Sequence, residues 1–220
     1  MLPKLSLARF VITLCLLAVS SFAQTPAQTP SPTTPQAKPL TSEEREAALK
    51  SLQATHDAFL QSIAGLSEKQ WTFKSAPDRW SIAEVSEHIS VSESSIFGLV
   101  QTKFMAGPAT PEKRAEVKAS DQQILQMVPD RTHKVQAPEF LKPTGRWPNR
   151  EETIKAFESS RKATMDYVRT TNDDLRDHFG PHPLLGTLDA YQWILLISAH
   201  SERHTNQILE VKADPNFPKE

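Results

Sequence analysis

Two histidines, His200 and His204, lie four residues apart in the strongly apolar segment YQWILLISAHSERHTNQILEV. Residues four apart face the same side of a helix, with β-carbons about 5–6 Å apart, so both imidazoles can bind one ion. A third histidine, His88, lies in another segment with helical periodicity, WSIAEVSEHISVSESSIFGLV. Two imidazoles from one helix and one from a second predict a three-nitrogen metal site with open coordination positions.

The spacing of this pair is by itself a weak signal, because histidines four apart also occur by chance on helix surfaces. The apolar approach from Ile194 to Ala199 favours the metal interpretation, since a helix rarely turns two histidines inwards without partners. Imidazole suits zinc, iron, nickel and copper better than the hard cations, and three imidazoles satisfy zinc, nickel and iron alike. The zinc-peptidase pattern is excluded, because its glutamate directly follows the first histidine. Ser201 occupies that position, and the acid is Glu202.

Other side chains could support such a site. The outer nitrogen of each ligating histidine needs a hydrogen-bond acceptor, and Glu84 and Glu202 are the candidates. No catalytic proton acceptor is identified, and Glu84, Glu93 and His56 are candidates for that role. A hydrogen-bonded place in the core is the favoured interpretation of His56. The remaining histidines are assigned to loops or to solvent: His133, His178 and His182.

Four segments place apolar residues three and four apart, as amphipathic helices do. Capping boxes, in which a side chain and an acid three residues later cap each other, predict three of the helix starts. These starts are Thr41 for helix one, Ser81 for helix two and Asn149 for helix three. Helix four is predicted to begin at Thr187, with Asp189 in its first turn, where an anion suits the helix dipole.

The connection between helices two and three is long and rich in proline. Residues 107–148 contain six prolines, with room for one short helix between Glu112 and Val128. Residues 179–186 are predicted to form a turn, and no period-two run is long enough for a sheet. The predicted fold is therefore all-α: a four-helix bundle with a long crossover between helices two and three.

The N-terminus has the pattern of an export signal. Residues 1–23 combine a basic start, a short apolar run and a small-residue cleavage site ending at Ala23, which predicts a signal peptide. The apolar run is about half the length of a membrane span, although an uncleaved anchor is the alternative. Residues 24–40 contain five prolines and no aromatic residue, which predicts a disordered tether. Residues 41–213 then form the bundle, exported to the periplasm or secreted.

Composition narrows the classes of partner. The only cysteine, Cys15, lies in the predicted signal peptide, so the mature chain has no disulfide and no thiolate ligand. Loss of Lys4 and Arg9 reduces the 25 basic residues to 23, against 26 acidic ones, for a net charge of −3. This balance argues against a nucleic-acid partner. No membrane span is expected in the mature chain.

Three motifs in order resemble the DinB-like superfamily: WSIAEVSEH at residues 80–88, HPLLG at 182–186 and HSERHTNQI at 200–208. The resemblance covers the chain from about residue 45 to 210. It implies a four-helix bundle with a long second connection and a divalent metal, commonly zinc or nickel, held by His88, His200 and His204. Related bundles often pair, which allows a homodimer. Some relatives are transferases or isomerases that use a small thiol.

Two functions stay open on the sequence alone. The first is an exported metal-dependent hydrolase or transferase that acts on an unknown small substrate. The export signal makes a thiol cosubstrate less favoured, because exported compartments are oxidising. The second is a non-catalytic module that binds a metal or a small ligand.

Overall fold

The computed structural model describes residues 38–219, and within that part four long helices form a bundle. The long helices are α1 (Ser42–Ile63), α3 (Ile82–Leu99), α5 (Arg150–Thr170) and α6 (Ala190–Lys212). The shorter elements are α2 (Glu68–Thr72), α4 (Asp121–Met127), β1 (Phe179–His182) and β2 (Gly186–Asp189). α1 packs against α5 and α6, and α3 packs against the same two helices. The predicted fold class, a four-helix bundle, is confirmed.

Three of the four long helices begin directly after the capping residues that the sequence predicted. Thr41 and Ser81 form reciprocal capping boxes with Glu44 and Glu84, as predicted. The Asn149 side chain accepts a hydrogen bond from the Glu152 amide at 2.9 Å, but Glu152 makes no reciprocal bond. The third long helix, α5, therefore has a single capping hydrogen bond, and the capping box predicted at Asn149 is only half formed.

The fourth long helix begins later than predicted. Asp189 is its N-cap, because its Oδ1 accepts from the Gln192 amide at 2.7 Å while the Gln192 side chain accepts from the Asp189 amide. Thr187 lies in β2, opposite Pro181. The prediction of a helix start at Thr187 is wrong, because the residues before Asp189 pair as a strand.

The segment predicted to be a turn is an antiparallel hairpin. Strands β1 and β2 pair from Phe179 with Asp189 to His182 with Gly186. Gly186, which pairs with His182 directly after the hairpin loop, has a φ of +74°, a left-handed conformation that glycine adopts without steric cost. The expectation that the chain has no strand is wrong, because each strand has only four residues and contains glycine, too short for a period-two signal.

The crossover between α3 and α5 is long and mostly irregular. It holds α4, a 3₁₀ helix at Pro111–Glu116 and another at Glu139–Leu141, so the one predicted short helix corresponds to two separate segments. Residues 85–93 of α3 are all buried, and so are the first ten residues of α6, 190–199. These two helices are the centre of the molecule, and the crossover covers part of them.

The predicted signal peptide and the predicted tether up to residue 37 lie outside the described residues. Lys38 to Leu40, the end of the predicted tether, lie on the bundle. The Lys38 amide donates to Asp174 at 3.2 Å, and Leu40 is buried in the same core as Leu52. Among residues 38–219, no helix is both long and apolar enough to cross a membrane.

Candidate metal centre

The two central helices bring the three predicted histidines together. His88 lies on α3, and His200 and His204 lie one turn apart on α6. One ring nitrogen from each lies within 4.8 Å of the others. The ring centroids are 4.4 Å apart for His88 and His204, 5.0 Å for His88 and His200, and 4.5 Å for the α6 pair. The chain therefore has a three-histidine cluster that can hold a divalent metal.

The proton on the His88 ring is assigned by its neighbour. Nδ1 of His88 lies 2.8 Å from the backbone carbonyl oxygen of Leu141, in the crossover. A carbonyl oxygen only accepts hydrogen bonds, so Nδ1 must be the donor. In the neutral ring, Nε2 then carries the lone pair. His88 thus has the tautomer that binds a metal through Nε2.

The same reasoning assigns His204. Its Nδ1 lies 2.8 Å from Oε1 of Gln207, and the same oxygen accepts from Nη1 of Arg131 at 3.2 Å. Arginine has no acceptor, so the Gln207 atom shared by both neighbours is the oxygen. Arg131 is itself held by Glu210, through bonds of 2.6 and 2.8 Å. His204 therefore donates from Nδ1 and also keeps its lone pair on Nε2.

These tautomers place two lone pairs face to face. Nε2 of His88 and Nε2 of His204 are 3.2 Å apart, and neither carries a proton when both rings are neutral. Two lone pairs at that distance repel unless a cation lies beside both. Two nitrogens that each lie about 2.05 Å from one tetrahedral zinc ion are about 3.3 Å apart. The spacing and the donor set therefore fit a divalent metal.

Burial keeps the three rings neutral. It is the largest cause that lowers the pKa of His200, to about 3, and the neighbouring His88 adds to the effect. Burial also lowers the pKa of His204 well below its ordinary value, followed by the influence of His200. The pKa of His88 falls by burial as well, against a smaller opposing effect of the Leu141 carbonyl. A metal requires unprotonated imidazole, so at neutral pH the cluster is ready to bind.

The hydrogen-bond acceptors for the histidine ring N–H groups differ from those predicted from the sequence. Glu84 accepts from the Ser81 amide at 2.8 Å and pairs with Lys74 at 2.7 Å, so it caps α3 instead of holding a histidine. Glu202 is exposed on α6. The expected support from Glu84 and Glu202 is replaced by Leu141 and Gln207, because those two have acceptors facing the ring N–H groups.

The three candidate proton acceptors are also engaged elsewhere. Glu93 is 1% exposed and forms an ion pair with the equally buried Arg161, while Ser201 donates to it at 2.6 Å. His56 lies 2.8 Å from Asp57 and lines a surface cavity between α1 and α5. Together with the capping role of Glu84, these contacts leave the site without an assigned base.

The remaining histidines have structural contacts. Nδ1 of His182 accepts from the amides of Leu184 and Leu185 at 3.2 and 3.1 Å, which closes the hairpin loop. His178 lies between the carbonyls of Asp174 and Gly107. His133 is exposed. His178 and His133 agree with the loop and solvent assignments made from the sequence, whereas His182 is the last residue of β1.

The sequence analysis did not predict either of the acceptors that orient His88 and His204. Gln207 had a signal, since it lies three residues after His204 in the motif HSERHTNQI, on the same face of the helix. Leu141 had none. It acts through its backbone carbonyl, which every residue has, and only the path of the crossover brings that carbonyl to His88.

Comparisons with known proteins agree with this architecture. A family model described as the DinB superfamily matches residues 51–208. The chain is 24% identical over 150 residues to a Bacillus subtilis (strain 168) protein described as uncharacterized protein YuaE, covering 68% of this chain and 88% of that protein. YfiT from Bacillus subtilis, described as a probable metal-dependent hydrolase with an unusual four-helix bundle topology, has a TM-score of 0.51. The aligned region covers 81% of this chain and 91% of the YfiT chain, with 14% sequence identity. This similarity is one of fold.

Proposed function

Because the chain belongs to the DinB superfamily, we propose that it binds a divalent metal through His88, His200 and His204. We further propose that it uses the ion to hydrolyse, or to transfer a group from, a small substrate. The observation that carries the proposal is the pair of facing Nε2 lone pairs, 3.2 Å apart. Without a cation they repel, and burial disfavours a proton there.

Zinc is the proposed ion, with nickel and iron as alternatives, because three neutral imidazoles suit each of them. Such an ion supplies Lewis acidity, which polarises a substrate oxygen and makes water a stronger acid. The protein residues supply the positioning. Leu141 and Gln207 each hold a ring proton at Nδ1, on the side away from the ion. The description of YfiT as a probable metal-dependent hydrolase supports hydrolysis as the reaction class.

A non-catalytic binding module is the second candidate. It is favoured by the engagement of the expected bases in other contacts: Glu84 in a cap, Glu93 in a buried ion pair and His56 with Asp57. A hydrolase needs a group that accepts a proton near the substrate. Incubation of the zinc-loaded protein with a panel of esters, lactones and amides separates the two candidates. Turnover that His200→Ala abolishes favours the enzyme, and its absence across the panel favours the module.

We also propose that the protein acts after export. The support is the pattern of residues 1–23, with a basic start, an apolar run and a cleavage site at Ala23. Sequencing the N-terminus of the protein from a secreting host tests this. A mature chain that begins at Gln24 is expected, and one that retains residues 1–23 would contradict cleavage.

Metal analysis of the purified protein tests the proposed site. The wild-type chain and a His133→Ala control are expected to retain stoichiometric metal, since His133 is exposed and outside the cluster. The His200→Ala, His204→Ala double variant is expected to lose it. Equal metal in all three proteins would place the ion elsewhere, and no metal in the wild type after reconstitution would end the metal proposal.

A further inference from the structure

The residue before the α3 ligand has an unusual set of partners. Glu87 is 7% exposed, and its carboxylate accepts three backbone hydrogen bonds from the crossover. The donors are the amides of Thr144 at 2.8 Å, Gly145 at 2.9 Å and Arg146 at 3.3 Å. A carboxylate that accepts several amides is a strong anchor, because charge-assisted hydrogen bonds are stronger than neutral ones. Glu87 therefore fastens this part of the crossover to α3.

The segment that Glu87 binds, residues 140–146, is a loop whose two ends contact each other. The guanidinium of Arg146 donates to the carbonyl of Phe140 at 2.7 Å and lies 3.5 Å from Glu87. Gly145 has a φ of +73°, which allows its amide to turn towards the carboxylate. The chain from Phe140 to Arg146 thus returns on itself, with Glu87 bound at its end.

The same loop carries the acceptor for the neighbouring ligand. Leu141 lies between Phe140 and Arg146, and its carbonyl accepts from Nδ1 of His88 at 2.8 Å. The loop is therefore bound to α3 at two consecutive residues, by Glu87 from its carboxylate and by His88 from its ring. Loss of the Glu87 hydrogen bonds would therefore allow the loop to move and break the hydrogen bond between His88 and the Leu141 carbonyl.

We propose that Glu87 is a positioning residue for the metal centre, which holds the 140–146 loop so that the Leu141 carbonyl keeps the proton of His88 on Nδ1. This inference rests on the proposed function, because the tautomer matters for binding a metal through Nε2. Glu87 touches neither the ion nor the substrate in this role. It acts through the loop and then through His88.

His88 has a second neutral tautomer, with its proton on Nε2, which the contact with Leu141 disfavours. Without the Leu141 carbonyl, the neutral His88 ring would gain more by carrying its proton on Nε2, where the lone pair of His204 lies 3.2 Å away. That tautomer joins the two ligands by a hydrogen bond and removes the lone pair of His88 from the site. Loss of Glu87 is therefore expected to block one ligand without changing any of the three histidines.

The test uses Glu87→Ala and Glu87→Gln, with Glu139→Gln as the matched control. Glu139 directly precedes the 140–146 loop, and its side chain is 86% exposed and pairs with Lys142 alone among residues 38–219. Nitrogen NMR of ¹⁵N-histidine-labelled, metal-free protein reports the His88 tautomer, and chelator competition reports zinc affinity. Circular dichroism and melting show whether each variant is folded.

Glu87→Ala is expected to shift His88 towards the Nε2–H tautomer and to weaken zinc binding by about 10–100-fold, as loss of outer-sphere support does. Glu87→Gln keeps one acceptor oxygen but turns an NH₂ group towards an amide donor, so an intermediate effect is expected. Glu139→Gln should match the wild type. A folded Glu87→Ala or Glu87→Gln protein with the wild-type tautomer would overturn the proposal.

The tautomer measurement also separates this inference from the proposed function. It needs no metal, so a wild-type tautomer in a folded variant contradicts the role of Glu87 even if zinc binds. Conversely, a tautomer that shifts in a protein whose wild type binds no zinc supports the role of Glu87 and contradicts the metal proposal. If Glu87→Ala does not fold, Glu87→Gln decides the outcome.

Discussion

At the scale of single residues, the site is defined by where two protons lie. Leu141 and Gln207 each face an Nδ1 atom, of His88 and His204 respectively. These contacts direct both Nε2 lone pairs to the same point. The spacing of His200 and His204, together with the helical pattern around His88, predicted which histidines would meet. Their proton states follow only from the contacts made in the folded chain.

Gln207 allows a test of this arrangement on α6. Gln207→Ala removes the acceptor for His204 Nδ1 and the partner of Arg131. Zinc affinity, measured by competition with a chelator, is expected to fall about 10–100-fold. Gln207→Glu retains an acceptor for both neighbours and should keep affinity near that of the wild type. Equal affinity in Gln207→Ala and the wild type would contradict the assigned role.

The lowered pKa values predict how the stability of the metal-free protein depends on pH. Histidine in the unfolded chain titrates near 6.5, whereas the pKa of His200 in the folded chain is about 3. Between these values the unfolded chain binds more protons, so the free energy of unfolding falls as pH decreases below about 6.5. Above that pH both states are neutral, and the histidines add no pH dependence.

Urea unfolding at a series of pH values between 7.5 and 4.5 measures this effect. The His200→Leu, His204→Leu variant, which has no buried imidazole on α6, is expected to lose less stability on acidification than the wild type. His133→Ala serves as the control, since its side chain is exposed. A double variant with the same slope as the wild type would show that the two rings are not buried in their neutral form.

At the scale of secondary-structure elements, the start of α6 is the most informative difference between sequence and structure. Asp189 is fully buried and caps the helix, while Arg114 and Arg176 donate to its other oxygen at 2.6 and 3.0 Å. Asp189 thus connects the hairpin, the helix that carries His200 and His204, and part of the crossover. The Asp189 cap determines where α6, and so His200, begins.

Substitution at this helix start tests the assignment. Asp189→Ala removes the cap and both ion-pair contacts, and is expected to lower the free energy of unfolding by about 3 kcal/mol or more. Thr187→Ala, at the start predicted from sequence, should change it by less than about 1 kcal/mol. Urea midpoints of the two variants give the comparison. If Thr187→Ala lowers the free energy of unfolding more than Asp189→Ala does, the result would favour Thr187 as the helix start.

The elements that the sequence predicted well are those with local signals. The capping boxes at Thr41 and Ser81 lie within one turn, and both are formed. The hairpin was missed because its strands depend on packing against distant residues. Gly180 lies so close to the Phe104 ring that a β-carbon there would be 2.2 Å from it. Such a contact joins residues far apart in the chain and leaves no periodic pattern.

At the scale of the whole molecule, the crossover is part of the candidate site. It supplies Leu141 to α3 and Arg131 to Gln207 on α6, and Arg203 of α6 donates to its carbonyls at Val128 and His133. The long connection thus contacts both helices that carry the histidine cluster. Its proline content predicted an irregular crossover, but nothing in the sequence indicated which carbonyls would face the histidines.

A crystal structure of the zinc-loaded protein, with the ion located by anomalous scattering, would show whether the three histidines bind one metal ion. The predicted result is one ion about 2.0–2.1 Å from Nε2 of His88, from Nε2 of His204 and from a ring nitrogen of His200. The Leu141 carbonyl should still accept from His88 Nδ1. An ion bound elsewhere, or one that leaves His88 uncoordinated, would show that the three histidines do not form one metal site.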